Sequence, residues 1–181
     1  MKRKLFWIPV LSAALTLGLA TACAHRRERR NIDTSTDDRL SLERFSGLWY
    51  EIARMNHIFE RGMSSVTARY RLLGDGSIEV VNDGVKGDRR RYRRVVGRAV
   101  MPDATQPRRL RVSFFPMIYS DYNILSIDDD YSSALIGGSS PGFLWILSRT
   151  PSLPTERYTE LLHEAARRGY DVSRLIMVDQ R

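Results

Sequence analysis

The 181-residue chain has one cysteine and three histidines. A single thiol excludes an intramolecular disulfide framework and any multi-cysteine zinc centre. His25, His57 and His163 are scattered, without the spacing of a metal or haem site. No phosphate-binding loop or Rossmann glycine pattern is present. Acidic residues are scarce at one end only. Residues 1–30 hold seven basic groups and one acid, Glu28, so +6 of the formal +8 sits there. The remaining residues carry 22 basic and 20 acidic groups. The high charge therefore belongs to a leading segment and an arm, not to a nucleic-acid footprint on the body. The one long apolar run, Leu5 to about Ala20, is short of the ~20 residues that a membrane-spanning helix needs. With 43% hydrophobic and 28% charged residues, the composition is globular rather than disordered.

Lys2-Arg3-Lys4 opens the chain, the apolar run follows, and small residues close it at Leu19-Ala20-Thr21-Ala22-Cys23. This is the layout of a secretory signal. The cysteine directly after the small residues resembles a bacterial lipobox, with Ala20 where Leu is preferred. The resemblance implies cleavage before Cys23, diacylglycerol on its sulfur and acylation (palmitate or a similar chain) of its amine. More than one acyl chain makes such an anchor stable. Ala24, rather than Asp, follows the cysteine, which implies the outer membrane, facing the periplasm. The alternatives are an uncleaved spanning anchor and an ordinary signal with an incidental cysteine. Three segments result: a signal peptide over 1–22, a lipidated flexible tether over 23–39, and a folded domain over 40–181. Export also disfavours a nucleic-acid partner.

From Leu40 onward, apolar residues alternate in short runs between close turns. The period-2 segments are Trp49–Arg54, Ser65–Leu72, Ile78–Asp83, Tyr92–Met101, Leu110–Phe115, Tyr122–Ile127, Ser133–Gly137 and Phe143–Arg149. Gly74-Asp75-Gly76 is a hairpin signal. The spacing predicts an all-β, antiparallel sandwich or barrel. Eight such strands can close around one small ligand and remove the exposed sheet edges. One helix is predicted after Pro154, where Tyr158, Leu161, Leu162 and Ala165 form an apolar stripe and Gly169 can end it. A short strand, Leu175–Val178, follows.

Gly47-Leu48-Trp49-Tyr50 resembles the first signature of the lipocalins, of the calycin superfamily. Ser120-Asp121-Tyr122 resembles their second motif, with Ser where Thr is usual, and Trp145–Pro151 their third. Trp49–Arg54, Phe59-Glu60-Arg61-Gly62 and Leu144–Pro151 are similar to bacterial outer-membrane lipocalins related to apolipoprotein D. The resemblance implies an eight-stranded up-and-down β-barrel with one C-terminal α-helix packed outside. It gives Gly47, Trp49, Asp121 and Arg149 structural roles: Gly47 turns the chain into the barrel, Trp49 plugs one end, and Arg149 lies over the indole as a cation–π pair.

With Trp49 inward, alternation carries Glu51 and Ala53 inward too. The less charged faces of the other strands nominate Ala68, Tyr70, Val80, Asn82, Phe114 and Trp145, with Val66, Ile78, Val95, Gly97, Ala99, Leu110, Val112, Phe143 and Leu147. Small residues at Ala53, Ala68, Gly97 and Ala99 leave space. An apolar pocket with a few polar groups suits a fatty acid or lysophospholipid. The basic hairpin from Lys86 to Arg98 can attract phosphate head groups or serve as a solvated strand edge. Gly138-Ser139-Ser140-Pro141-Gly142 matches a hydrolase elbow literally, yet joins two strands and contains Pro, whereas the elbow needs a strand-to-helix turn. Asp128-Asp129-Asp130 lacks calcium-loop spacing and reads as a turn. The expectation is a lipid-anchored carrier for lipid binding, storage or transport, with no cofactor, no metal and no catalytic residue. Its rivals are a lipocalin-like isomerase or esterase using Glu51 or Ser140, and a structural protein with a filled barrel. A homodimer is left open.

Overall fold

Period-2 runs bounded by tight turns bury one face each by pairing edge to edge, and here they become nine antiparallel strands. They are β1 (Gly47–Met55), β2 (Met63–Leu72), β3 (Ile78–Lys86), β4 (Arg91–Val100), β5 (Arg109–Phe115), β6 (Ile118–Ile127), β7 (Ser133–Gly137), β8 (Leu144–Ser148) and β9 (Leu175–Met177). The computed structural model describes residues 32–37, 39–58, 60–87 and 91–181. The signal segment, Cys23 and the arginines of 26–30 lie outside the described residues.

Each of β1 to β8 pairs with its sequence neighbour, and β1 also pairs with β8, which closes an up-and-down barrel. β1 runs beside β2 only as far as Tyr50↔Thr67. Beyond that point β9 takes the vacated place, from Ala53↔Met177 to Met55↔Leu175. The carboxyl-terminal tail seals the same seam. The Gln180 amide donates to the carbonyls of Glu51 (2.6 Å) and Val66 (3.0 Å), and the Ser65 N–H donates to the Asp179 carbonyl at 2.6 Å.

Two apolar layers result. The inner one gathers Phe45, Trp49, Tyr70, Ile78, Val80, Leu110, Ile124, Ile136 and Leu147. The outer one lies under α2 (Thr155–Arg167) and joins Ile52, Met55, Leu135, Leu144 and Ile146 to Leu161 and Ala165. The stripe that predicts α2 is thus the face it buries. Pro154 precedes the first turn and Gly169, at φ +88°, lets the chain leave.

One end of the barrel is stoppered by α1 (Leu42–Phe45), a single turn that the sequence shows only as a lead-in. The Trp49 indole donates to the Phe45 carbonyl at 2.8 Å. The Arg149 guanidinium lies 3.8 Å from the indole centroid. It also donates to the carbonyls of Leu48, Arg44, Phe45, Ser46 and Tyr131, at 2.6 to 3.2 Å. One cation thereby satisfies carbonyls that a one-turn helix leaves open. Gly47 is required beside it: its φ is +99°, and a Cβ there would stand 3.3 Å from Arg149 Nη1.

The expected tether over 23–39 needs correction in its described part. The Asp33 N–H donates to the Arg168 carbonyl (2.8 Å), Arg168 Nη1 donates to the Ser35 carbonyl (2.6 Å), and Arg108 Nε donates to the Arg39 carbonyl (2.8 Å). Arginines of the body hold this polar segment by its backbone, which its side-chain pattern does not reveal. β6 begins at Ile118 rather than Tyr122 because its first residues are exposed and carry no alternation signal.

Arg149→Ala should destabilise the domain by about 3 kcal/mol, from orphaned carbonyls and the lost indole contact. Arg149→Lys should recover only part of this, because an ammonium cannot lie flat on the ring while reaching five carbonyls. Urea unfolding of the three proteins checks this, and equal stability of Lys and Arg forms would contradict it.

Candidate ligand-binding site

The wall of the barrel changes character from floor to rim. On the inward face of β3 and β4, Ile78 pairs with Ala99, Val80 with Gly97 and Asn82 with Val95. Ile78 and Ala99 are each 2% exposed, whereas Val95 is 47% exposed. The stoppered half is packed with side chains, and on the β3–β4 side the opposite half opens to solvent. Above the Phe45–Trp49 contact, the Tyr70 and Tyr122 hydroxyls meet at 2.6 Å and form a strut from β2 to β6. Burial pushes the pKa of both phenols up, so the strut is neutral.

Nearer the rim, the arrangement departs from simple alternation. A bulge in β1 sets Glu51 opposite Leu147, Ala53 opposite Ile146 and Arg54 opposite Trp145. Glu51 points inward, as expected. Ala53 does not: it joins the outer layer beneath α2. The extra residue of the bulge turns Arg54 inward in its place. Arg54 is 1% exposed, and its Nη1 donates to Glu51 Oε1 at 2.6 Å. Its Nη2 donates to the carbonyls of Glu60 (2.7 Å) and Met63 (3.1 Å), tucking the β1–β2 loop into the barrel. Glu60 Oε2 accepts from Trp145 Nε1 at 3.1 Å and lies 2.8 Å from His57 Nε2. The His57 ring packs on Phe143 and Trp145, with centroids 5.6 and 5.3 Å away.

Burial, and then the adjacent Glu60 charge, raise the Glu51 carboxyl to about 8 against the lowering pull of Arg54. Burial also acts to raise Glu60, but the His57 hydrogen bond and charge, with Trp145 and Arg54, outweigh it and hold that carboxyl low. The two acids thus divide: Glu60 keeps its charge near the rim while Glu51 holds its proton deeper in.

The other nominated residues fall as follows. Ala68, Tyr70 and Val80 lie buried on the inner wall, and Trp145 packs against it half-buried. Asn82 faces inward between Ala68 and Val95, and its buried Oδ1 has no hydrogen-bond partner. Phe114 is inward but covers Gly97: a Cβ on that glycine would lie 2.6 Å from the ring. The space expected at Gly97 is therefore filled by Phe114. Asp121 faces outward, 3.8 Å from Arg111. Arg54, His57, Glu60 and Tyr122 are the site residues that alternation missed. Glu51 was the available signal, because a buried carboxylate calls for a nearby base and Arg54 is the next one along the chain.

Two clefts lie on the outside of the barrel. One of about 250 Å³ is lined by Thr34, Asp103, Arg109, Arg111 and Asp121. The other, about 270 Å³, lies between α2 and β9 beside Leu153, Tyr158 and Met177. Ser140 sits in the β7–β8 turn, where its carbonyl accepts from the Phe143 N–H at 3.0 Å, and His163 is exposed on α2. That is not the strand-to-helix setting of a nucleophile elbow. Asp128 accepts from Ser132 and Ser133 and pairs with Arg157, as a turn residue does. Among the described residues no cluster of three metal-ligating side chains occurs.

A single closed barrel, stoppered at one end and open at the other, defines the class of cup-shaped proteins that hold small hydrophobic molecules. Residues 40–180 match the model of the lipocalin-like domain. Outer membrane lipoprotein Blc of Escherichia coli K12 is 39% identical over 173 residues, covering 96% of this chain and 97% of that one. Mouse apolipoprotein D is 31% identical over 151 residues, covering 79% and 78%. Among solved structures, insecticyanin from the tobacco hornworm Manduca sexta superposes with a TM-score of 0.65 at 23% identity, covering 80% of this chain and 82% of that one. The chain belongs to the lipocalin family. It is an outer-membrane, lipid-anchored lipoprotein and a binding protein rather than an enzyme.

The buried acid sets a pH signature. Between the ordinary carboxyl value of 4.5 and about 8, native Glu51 keeps a proton that the unfolded chain has lost. Stability contributed by Glu51 is therefore complete below that window and declines as pH rises through it. Urea midpoints measured across the window should fall more steeply for the wild type than for Glu51→Gln. Parallel slopes would place the pH dependence elsewhere.

Proposed function

We propose that the open half of the barrel holds one single-chain lipid, a fatty acid or lysophospholipid, for storage or transfer in the cell envelope, with the domain on the periplasmic face. The observation that carries this reading is the exposure gradient along one inward face, from Ile78 at 2% to Val95 at 47%. An apolar wall that water reaches from one end only favours an acyl chain, at about 0.8 kcal/mol per methylene removed from water. Val66, Ala68, Val80, Val95 and Phe114 supply that wall, and Trp145 adds ring surface at the rim. The unpartnered Asn82 Oδ1 offers an acceptor to a hydroxyl or an ammonium-bearing head, or to a bridging water. Arg54 is already engaged by three oxygens, so it fixes the loop instead of waiting for an anion.

Trp145 reports on this site. Titration with a fatty acid or with lysophosphatidylcholine should change its emission, and Trp145→Phe should remove the change. Ala68→Phe should weaken binding by about tenfold, the equivalent of losing roughly two methylenes of contact. Unaltered affinity in Ala68→Phe would remove the inner wall from the site. No binding of either lipid would instead favour a barrel filled by its own side chains.

The leader gives a separate expectation. Cys23→Ala should release the body from membranes or leave the signal uncleaved. Normal acylation of that variant would refute the assignment of Cys23 as the anchor.

A further inference from the structure

The rim of the barrel carries apolar side chains that the interior does not use. The ladder between β4 and β5 stops at Arg98↔Ser113, so Arg91–Gly97 pairs with β3 alone among the described residues. Next to this edge the β5–β6 hairpin turns through Pro116 and Met117. Phe115, Met117 and Ile118 are 60%, 93% and 65% exposed. Tyr119, Tyr92 and Val96 on these neighbouring strands are exposed as well. Large apolar side chains gathered in one place on a water-soluble body mark a surface that is covered in use.

The charges around the patch identify the cover. From Lys86 to Arg98 the sequence has seven basic residues and one acid, Asp88. Arg94 is held by Asp83 at 2.7 and 3.0 Å. Arg91 and Arg93 are exposed, with no ion pair among the described residues. A second copy docking edge to edge through β4 would set these arginines against themselves, and like charges directly opposed are destabilising. An anionic bilayer surface has the complementary sign, and its headgroup boundary accepts Phe, Met, Ile and Tyr.

Chain length places that surface within reach. Ile32 packs on the layer beside α2, and the neighbouring Asp33 is bonded to Arg168 at the end of that helix. The same end of α2 lies at the open rim, because the Tyr170 hydroxyl donates to the Gly138 carbonyl, at the start of the β7–β8 turn, at 3.2 Å. Nine residue steps separate Cys23 from Ile32, a span of at most ~30 Å.

We propose that the rim is a second, acyl-independent membrane contact. The hairpin Phe115–Tyr119 enters the headgroup boundary of an anionic bilayer while Arg91 and Arg93 meet lipid phosphates. The open end of the barrel then faces the leaflet, and a single-chain lipid passes between bilayer and barrel without crossing bulk water. The contact stands whichever lipid fills the barrel, so it is tested apart from cargo binding.

The test uses the full acylated lipoprotein, extracted and reconstituted into phosphatidylethanolamine vesicles with or without phosphatidylglycerol. Acylation blocks Cys23, so Met117→Cys introduces the one thiol for a fluorophore, and Glu156→Cys, at the start of α2 beside the stoppered end, is the control. With phosphatidylglycerol present, nitroxide-bearing lipids should quench the label at position 117 well beyond that at 156. Arg91→Gln with Arg93→Gln should reduce the docking equilibrium by about fivefold for each charge removed, and added salt should act the same way. Equal quenching at both positions, or quenching indifferent to phosphatidylglycerol, would overturn the proposal. So would self-quenching between labels at position 117 without quenching by lipid nitroxide, which would assign the rim to a second copy. Lipid titration of the same variants, read at Trp145, keeps failure of the membrane contact distinguishable from failure of the cargo site.

Discussion

The barrel depends on one guanidinium. Arg149 stacks on Trp49 and collects carbonyls from α1 and from the chain entering β1. Closure leaves this sheet little edge beyond the rim of β4, but its ends expose backbone that must be satisfied. Here one planar cation serves the last turn of a helix too short to satisfy itself, and its flat face fills the space over the indole. With the floor built this way, the β4–β5 ladder can stop at Arg98↔Ser113 without opening the base of the barrel.

The wall above the floor carries several irregularities. The β1 bulge at Glu51 and Ala53 exchanges an alanine for an arginine on the inner wall. Register also shifts in β2 near Ser64, in β5 beyond Val112 and in β6 near Ile124. The bulge at Glu51 and Ala53 creates a buried hydrogen-bonded pair, Arg54 with Glu51, whose members come from one strand. Such a pair gains little stability over apolar packing of the same volume. Its use is local: Arg54 pulls the β1–β2 loop inward, and Glu60 on that loop then orients Trp145 and His57 at the rim.

Much of this was legible in the residues. Period-2 alternation marked all eight barrel strands, the Tyr158–Ala165 stripe marked the helix, and Trp49 with Arg149 marked the floor. Membership of the inner wall was legible wherever the pleat runs unbroken, as from Ile78 to Asn82. It failed at Ala53, because a bulge adds one residue without leaving a composition signal. It failed at Gly97 for another reason: the room a glycine leaves belongs to whichever neighbour enters it, and the Phe114 ring does. The polar cluster was half legible, since Glu51 was placed inward without its hydrogen-bond donor Arg54. The hold on residues 32–39 was not legible at all, because distant arginines grip their backbone.

The Tyr70–Tyr122 strut divides the barrel into two compartments of different kind. Below it the side chains form a permanent core, as in any small domain. Above it the wall mixes the buried Glu51–Arg54 pair with residues that water reaches, such as Val95. Under the proposed function, a guest entering from the rim meets two hydrogen-bonded phenols, so the depth available to it is a property of one pair of hydroxyls rather than of strand length. Evolution could lengthen or shorten that berth by exchanging a single tyrosine, leaving the keel beneath untouched.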